Sequence, residues 1–368
     1  MRLAKLDILR TLAVLLVLGR HVLILPSDGG VSQESFFFSF WNRFGWTGVD
    51  LFFVLSGFLV SGLLFSEYKK FGSINLLRFF VRRGLKIYPA FYFFIGISIL
   101  LKIIPENMSL PRILSEVVFL QNYFPGIWNH TWSLAVEEHF YAMVGVLLFF
   151  LSLKKMGDPF RRIHILFLIC AVSVLLMRLY VSMSQPYSHL KNIFPTHLRI
   201  DALFFGVLLS YCNHFKKNEL EPWVRRNSRL ILGASALCVL PCFLWELETS
   251  FFIYTFGLTF LYLGFGGLLL VVLYEPRLEH LIGRGFLGII ARLGAYSYSI
   301  YLWHMPVRYW QKYAIQNLLG FTPSPAIQTF AYVFLCMGVG LLMSKIVEVP
   351  FLKLRDHFFP SRSKIGIH

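Results

Sequence analysis

The feature that most constrains this chain is a series of apolar blocks, each about 18 to 22 residues long, that recur along its whole length. A helix of that length crosses the hydrocarbon core of a bilayer, which is about 30 Å thick. We therefore predict an all-α fold, a polytopic membrane helical bundle of about ten transmembrane helices. The predicted spans cover residues 8–25, 46–66, 86–104, 134–152, 163–183, 200–215, 229–246, 251–274, 294–311 and 326–346.

The composition supports a membrane protein and argues against other classes. Hydrophobic residues make up 57% of the 368 residues and charged residues 15%, whereas soluble domains carry about 25% charged residues. The net charge of +16 would suggest nucleic-acid binding in a soluble protein. In the short loops of a membrane protein, basic residues instead keep those loops on the cytoplasmic side. We expect the lipid bilayer as a partner, no nucleic acid, and neither a disulfide framework nor a metal site from the five scattered cysteines.

The distribution of lysine and arginine predicts the orientation. With the N-terminus inside, most of the 35 basic residues fall on one set of loops. This places both termini in the cytoplasm and predicts a multi-pass protein of the cytoplasmic membrane. Residues 1–352 form the predicted transmembrane domain, and residues 353–368 a short basic cytoplasmic tail. The stretch "VLILPSD" lacks a small-x-small cleavage site, so we expect the first apolar block to be retained.

The first apolar block, "RTLAVLLVLGRH", runs from Arg10 to His21 and carries charge where lipid would exclude it. Eleven residues of helix return to within about 20° of the starting direction and advance about 16 Å. Arg10 and His21 therefore share one helix face and lie near opposite sides of the membrane. Ionisable residues in a span usually face the protein interior or a wet cavity. The alternative is that Arg10 snorkels to the surface and His21 is interfacial.

Other ionisable residues fall near the outer ends of later spans. They are Asp50, Glu137, Glu138, His197, Arg199, Asp201 and His304. A histidine beside a carboxylate is the usual device for proton transfer near neutral pH. Their similar predicted depth indicates a shared polar site, although scattered interfacial charge would give the same pattern. The outer stretch "NYFPGIWNHTWS" is either an interfacial aromatic belt or part of a binding surface.

On the opposite side, "RFFVRRGLKIYPAFY" groups basic residues before the third span, namely Arg78, Arg82, Arg83 and Lys86. They either anchor the cytoplasmic side or bind phosphate by charge and hydrogen bonding. A cytoplasmic anion site, a polar route and an outer histidine centre fit group transfer across the membrane. The same layout fits ion-coupled transport.

Several blocks, taken in order, resemble the acyltransferase-3 family of integral membrane acyltransferases, which O-acetylate cell-envelope and exported glycans and some small molecules. They are "LDILRTLAVLLVLGRH", "GVDLFFVLSGFL", "RRGLKIYPAFY", "TWSLAVEEHFY", "RIDALFFG", "YSYSIYLWH" and "VEVPF". The resemblance runs from about residue 5 to residue 352. It implies a ten-helix bundle that takes acyl-CoA, usually acetyl-CoA, as co-substrate from the cytoplasm and acylates a hydroxyl of a glycan or other acceptor.

The resemblance also assigns residues to roles. The essential arginine and histidine of the family correspond to Arg10 and His21, and its glutamate to Glu137 or Glu138. The basic cluster corresponds to Arg82, Arg83 and Lys86. Two positions depart from the family pattern: Arg20 stands where an uncharged residue is expected, and His139 where glutamine is commoner. No hydrolase-like soluble domain follows the tenth span, so we expect a stand-alone enzyme.

The resulting hypothesis places donor binding and catalysis at opposite ends of the site. Arg10, Arg82, Arg83 and Lys86 hold the phosphates of acyl-CoA, and His21 acts as general base or transient acyl carrier. Glu137, Glu138 or Asp50 orients His21 and stabilises its charge. The candidate acceptor-binding residues are Trp128, Trp132, Ser133, Asp201 and His304. No metal is expected, because the histidines lack close ligand spacing.

Three alternatives remain. The acyl group could pass to a cytoplasmic or lipid-linked acceptor. A proton-coupled transporter of a small solute could use the same arginine and histidine as a relay, but the sequence lacks paired broken spans that mark two repeats. A purely structural membrane scaffold would not need ionisable residues in so many spans.

Overall fold

The computed structural model describes residues 4–22, 24–25, 36–101, 108–154, 157–276 and 285–362, and helices make up the regular structure of these residues. The first half contains α1 (Ala4–Arg20), α2 (Phe36–Phe44), α3 (Gly48–Phe71), α4 (Leu76–Leu100), α5 (Leu110–Val117), α6 (Trp132–Ser152), α7 (Ile163–Ser184) and α8 (Ile200–Phe215). The second half contains α9 (Lys217–Arg226), α10 (Ser228–Val239), α11 (Pro241–Leu244), α12 (Leu258–Tyr274), α13 (Phe286–Ala295), α14 (Ser297–Asn317), α15 (Pro325–Met343) and α16 (Val349–Phe358).

Within the part of the chain that the structure describes, each predicted span overlaps a helix, and six helical stretches are long and apolar enough to cross a membrane. These are Phe38–Phe71, Leu76–Leu100, Asn129–Ser152, Ile163–Ser184, Ile253–Tyr274 and Pro325–Phe358. A seventh would pair α9 with the stretch Ser228–Leu244, across a bend of 81°. The all-α, multi-pass class is therefore confirmed, whereas the count of ten and the orientation stay predictions. Residues 23, 102–104 and 363–368 of the predicted spans and tail lie outside the described residues.

The helices at the remaining predicted spans are α1, α8 and α14. The first two are shorter, with 17 and 16 residues, and the third is 21 residues long but rich in polar side chains. All three bury much of their surface against neighbouring helices. α1 and α8 fall short of a membrane span in length, and α14 falls short in hydropathy. Helices that are enclosed by protein need less apolar surface than helices that face lipid.

Close packing joins α3 to α8 through glycines. A Cβ atom on Gly57 would lie 1.9 Å from the carbonyl oxygen of Leu203, and one on Gly206 would lie 2.3 Å from that of Val54. No larger residue fits at either position without moving a backbone. Small residues that allow such close approach are the common interface of membrane helices.

Two buried ion pairs hold the same region together. Asp50 of α3 accepts a hydrogen bond from Arg199 at 2.7 Å, and Asp201 of α8 accepts one from Arg178 of α7 at 2.6 Å. All four side chains are at most 1% exposed. Charge in the membrane interior is costly unless it is paired. These pairs therefore commit Asp50 and Asp201 to contacts between helices.

The end of the described chain folds back against α4. The boundary placed at residue 352 falls within α16, and residues beyond it contact the basic cluster. Arg82 donates to the carbonyl oxygen of Phe359 and Arg78 to that of Pro360. The segment from α16 to residue 362 thus lies beside the residues predicted to bind phosphate.

Candidate active site

A cavity of about 580 Å³ opens among α3, α4, α6, α14 and α16. It lies at the end of the bundle where the sequence analysis places the cytoplasm. Its basic lining residues are Arg10, Arg78, Arg82, Arg83, Lys86, Arg355 and Arg362. The four residues predicted to hold acyl-CoA phosphates are among them. Positive charge is thus concentrated in one cavity, which suits a polyanionic ligand.

Arg355 and Arg362 were not among the residues that the sequence suggested as phosphate ligands, and both belong to the segment around α16. Arg82 lies 3.2 Å from Asp356, and Arg362 lies 3.5 Å from Glu67. Arg355 and Arg362 are more than 250 residues from the basic cluster of α4 in sequence. Their charge was visible in the sequence, but their place at the cavity depends on how α16 packs.

Deeper in the cavity, Glu137 lies beside the basic residues of α4 and not beside His21. It accepts a hydrogen bond from the Tyr141 hydroxyl at 2.9 Å, and that hydroxyl is 2.6 Å from the Ser56 hydroxyl. The Arg83 guanidinium lies 5.1 Å from the centre of the Tyr141 ring. Glu138 lines the same cavity. The two glutamates therefore sit among cations, at the donor end of the predicted site.

The inner wall of the cavity is formed in part by Tyr301 and Ser133. Their hydroxyls are 2.6 Å apart, and the Tyr301 hydroxyl also donates to the backbone carbonyl of His130 at 2.6 Å. The Tyr301 ring lies 5.5 Å from the ring of His304 and 5.8 Å from that of His130. The cavity thus reaches to within one side chain of a group of three histidines, of which two are buried and one is half-buried.

That group consists of His21, His130 and His304, which we call the histidine cluster. The His304 ring is 5.0 Å from the His21 ring and 4.9 Å from the His130 ring, between centroids. His304 is fully buried and His130 is 4% exposed. Hence the residue that follows α1, the turn before α6 and α14 each contribute one imidazole. His130 was not among the predicted site residues, because in sequence it belongs to an aromatic-rich loop.

The structure separates the predicted carboxylates from His21. Among the described residues, no carboxylate forms an ion pair or hydrogen bond with His21. Asp50 is paired with Arg199, and Glu137 is bonded to Tyr141. Nor do the described residues contain a group of three or more histidine, cysteine or acidic side chains arranged to hold a metal ion.

The predicted acceptor-binding tryptophans are packed in the interior. Trp128 is 2% exposed and donates its indole N–H to the Ser98 hydroxyl at 3.0 Å. Trp132 is 9% exposed and stacks on Phe194, with 4.8 Å between ring centroids. Neither ring presents an open face to solvent. Ser133 and His304 lie at the inner wall and in the histidine cluster, whereas Asp201 is paired with Arg178.

A buried glutamate of α5 braces the loop that carries His130. Glu116 accepts the backbone N–H of Ile127 at 2.8 Å and is fully buried. A Cβ atom on Gly126 would lie 2.1 Å from its carboxyl oxygen, so a larger residue there would displace the carboxyl group. Burial raises the pKa of Glu116 to about 7. The loop is therefore anchored by a carboxyl group that titrates near neutral pH.

This raised pKa predicts a pH-dependent stability. Because the folded state binds the proton more tightly, the contribution of Glu116 is fully present below the usual glutamate range and is lost as the pH rises towards 7. The expected loss is about 3 kcal/mol. In Glu116→Gln we expect the apparent melting temperature to depend less on pH between about 5 and 7.5. An equal slope in wild type and Glu116→Gln would contradict this; Glu219→Gln, at an exposed site, is the control.

The fold and cavity together define a helical membrane protein with a basic cavity that leads to buried histidines. The chain belongs to the acyltransferase-3 family: the family model, described as an acyltransferase domain, matches residues 3–345. This confirms the resemblance read from the ordered motifs. No solved structure matches the chain significantly.

Several similar proteins are named O-acetyltransferases. The peptidoglycan O-acetyltransferase OatA of Listeria monocytogenes is 28% identical over 328 residues, which cover 82% of this chain and 49% of that protein. A putative O-acetyltransferase of Staphylococcus aureus is 27% identical over 338 residues, covering 85% and 54%. The O-acetyltransferase OatA of S. aureus is 28% identical over 297 residues, covering 73% and 46%. The chain spans about half the length of these relatives.

Proposed function

We propose that this protein is a membrane O-acyltransferase that moves an acetyl group from cytoplasmic acetyl-CoA to a hydroxyl of a cell-envelope glycan. In the reaction the thioester C–S bond breaks and an ester C–O bond forms. The acceptor hydroxyl loses its proton, and the CoA thiolate gains one. The observation that carries the proposal is the cavity, which is basic at its mouth and ends one side chain from the histidine cluster.

The donor end of the cavity suits the chemistry of CoA. Its mouth carries arginines on α4 and on the segment around α16, and these provide charge and hydrogen bonds for the phosphates. Apolar residues of α3, such as Phe52 and Leu59, line the wall further in and suit the neutral pantetheine arm. Tyr301 stands where the thioester would arrive. Arg10, Arg82, Arg83 and Lys86 are the proposed phosphate ligands.

At the other end, His21 is the proposed catalytic residue. Its imidazole takes the proton of the acceptor hydroxyl, which is a step worth about 10²–10⁴-fold in rate. Glu137 and Glu138 hold the cationic side chains of Arg83 and Lys86 in place by charge, and so act at the donor end. The relatives' names support a glycan acceptor, because one of them is called a peptidoglycan O-acetyltransferase.

The proposed topology follows from the same layout. Ten crossings with both termini in the cytoplasm would put the cavity mouth and residues beyond 352 on the side where acetyl-CoA is made available. The histidine cluster would then lie towards the outer face of the cytoplasmic membrane. Arg10 on α1 and His21, the residue that follows α1, would connect the two ends.

The donor site can be tested by direct binding. In nanodiscs, the wild-type protein is expected to bind radiolabelled acetyl-CoA, and Arg83→Ala to bind it about 10- to 100-fold more weakly, as for loss of a charged hydrogen bond. Arg161→Ala, which removes an exposed arginine outside the cavity, is the matched control.

Two results would contradict the proposal. One is that Arg83→Ala binds acetyl-CoA as tightly as the control Arg161→Ala does. The other is a wild-type protein that neither binds nor turns over any acyl-CoA. Vesicle flux assays would then test the transporter hypothesis, which predicts solute movement without acyl-CoA.

A further inference from the structure

The histidine cluster contains two imidazoles whose hydrogen positions are determined by their backbone partners. The Nδ1 atom of His304 forms a hydrogen bond with the carbonyl oxygen of Tyr301, and the Nε2 atom of His130 lies 3.1 Å from the carbonyl oxygen of Leu302. A carbonyl oxygen only accepts hydrogen bonds, so both nitrogens carry hydrogen. In the neutral rings, Nε2 of His304 and Nδ1 of His130 are therefore acceptors.

Both acceptor nitrogens are buried and have no hydrogen-bond partner among the described residues. An unpaired buried acceptor costs free energy, and two adjacent ones need an explanation. The His304 ring lies between the other two, at 5.0 Å from His21 and 4.9 Å from His130. The unpaired Nε2 of His304 is therefore on the ring next to His21. A catalytic histidine needs a hydrogen-bond acceptor for its second ring N–H.

Charges around the cluster make this acceptor important. Among the described residues no carboxylate forms an ion pair or hydrogen bond with His21, and the cations that interact with it are Arg20, which is paired with Glu248, and Arg308. The other titratable groups near the cluster are Tyr301, Tyr332 and Cys336. A lasting imidazolium at His21 would thus be poorly stabilised. Sharing the proton with a neighbouring imidazole would spread this charge over a second ring.

We propose that His304 accepts the second N–H of His21 and takes that proton during acyl transfer, and that His130 shares the proton with His304. As the acceptor oxygen bonds to the acyl carbon, its proton moves to one nitrogen of His21. The proton on the other nitrogen moves to Nε2 of His304. When the C–S bond breaks, His21 gives the first proton to the CoA sulfur and recovers its own from His304, so the cluster ends unchanged.

This inference rests on the proposed function but assigns roles that the family resemblance does not. His304 and His130 are positioning and proton-accepting residues that act through His21. His304, predicted from the sequence as an acceptor-binding residue, is placed here in the proton path. His130 enters only through its position in the fold.

The first test needs no acceptor substrate. Protein labelled with ¹⁵N-histidine in nanodiscs is expected to show His304 as the Nδ1–H tautomer, with an Nε2 resonance that shifts when His21 is replaced by alanine. The same replacement should leave the resonances of exposed His164 unchanged. An Nε2 resonance of His304 that is the same in wild type and in His21→Ala would overturn the proposed proton transfer, even if acetyl-CoA binds normally.

The second test separates proton transfer from geometry. With acetyl-CoA as donor and chitotetraose or water as hydroxyl probe, His304→Gln and His304→Ala are expected to lower kcat alike, by about 10²-fold. The KM for acetyl-CoA should stay near the wild-type value, because the donor cavity is intact. Glutamine accepts a hydrogen bond but takes no proton, so a His304→Gln protein with wild-type kcat would overturn the proposal. His164→Gln is the matched control.

The outcomes distinguish the relay from the function on which it rests. A wild-type protein without acetyl-CoA binding would refute the proposed function and leave the ¹⁵N result to decide the hydrogen bond. Normal binding and turnover, with His304→Gln fully active, would refute the relay alone.

Discussion

His21→Ala is expected to abolish acyl transfer while leaving acetyl-CoA binding intact. The side chain of His21 lies in the histidine cluster, beyond the Tyr301 side chain that forms the inner wall of the cavity. The proposed phosphate ligands lie at the other end of the same cavity. Removing the imidazole should therefore remove the base without touching the donor site. We expect kcat to fall by about 10²–10⁴-fold.

The measurement combines equilibrium binding of labelled acetyl-CoA with single-turnover release of CoA in nanodiscs. His164→Ala, at an exposed position of α7, controls for the loss of an imidazole in itself. Turnover of His21→Ala within a few-fold of the control would exclude His21 as the catalytic group. A loss of donor binding in His21→Ala would instead place the thioester, or CoA itself, against this histidine.

The second large effect is expected at the buried pair of Asp50 and Arg199. Asp50→Ala would leave the Arg199 guanidinium without its carboxylate, at a site where both side chains are 1% exposed. Breaking one half of such a pair costs about 3–5 kcal/mol. We expect a lower yield and a much lower melting temperature in detergent. Glu221→Ala, which breaks an exposed pair with Arg225, should cost about 0.5 kcal/mol or less.

A double replacement decides whether Asp50 also takes part in catalysis. Asp50→Leu with Arg199→Met removes both charges together, and such swaps are often neutral or stabilising when the new residues pack well. We expect the double variant to regain stability and to turn over normally per folded molecule. A stable but inactive double variant would return Asp50 to the catalytic role that the sequence analysis considered.

The difference between the predicted and observed surroundings of His21 has a clear origin. Asp50, Glu137 and His21 were grouped because each lies near the outer end of a predicted span, which is a statement about depth only. Depth does not give the direction in which a side chain points around the helix axis. Asp50 points to an arginine 149 residues away in sequence, and Glu137 to a tyrosine of its own helix.

Local features of the sequence were enough to determine the all-α membrane class, the helix at each predicted span and the basic cluster on α4. Hydropathy and helical periodicity act over a few turns, so a linear reading captures them. The ordered motifs also determined the family, because their order along the chain is itself linear information.

The partners of the buried charges were decided by the tertiary structure alone. The pairing of Asp50 with Arg199, the arrival of Arg355 and Arg362 at the cavity mouth, and the meeting of His130 with His304 all join distant parts of the chain. Each depends on which helix faces pack together. That choice follows from close contacts such as the α3–α8 glycine crossing, where a fraction of an ångström decides what fits, and no local pattern encodes it.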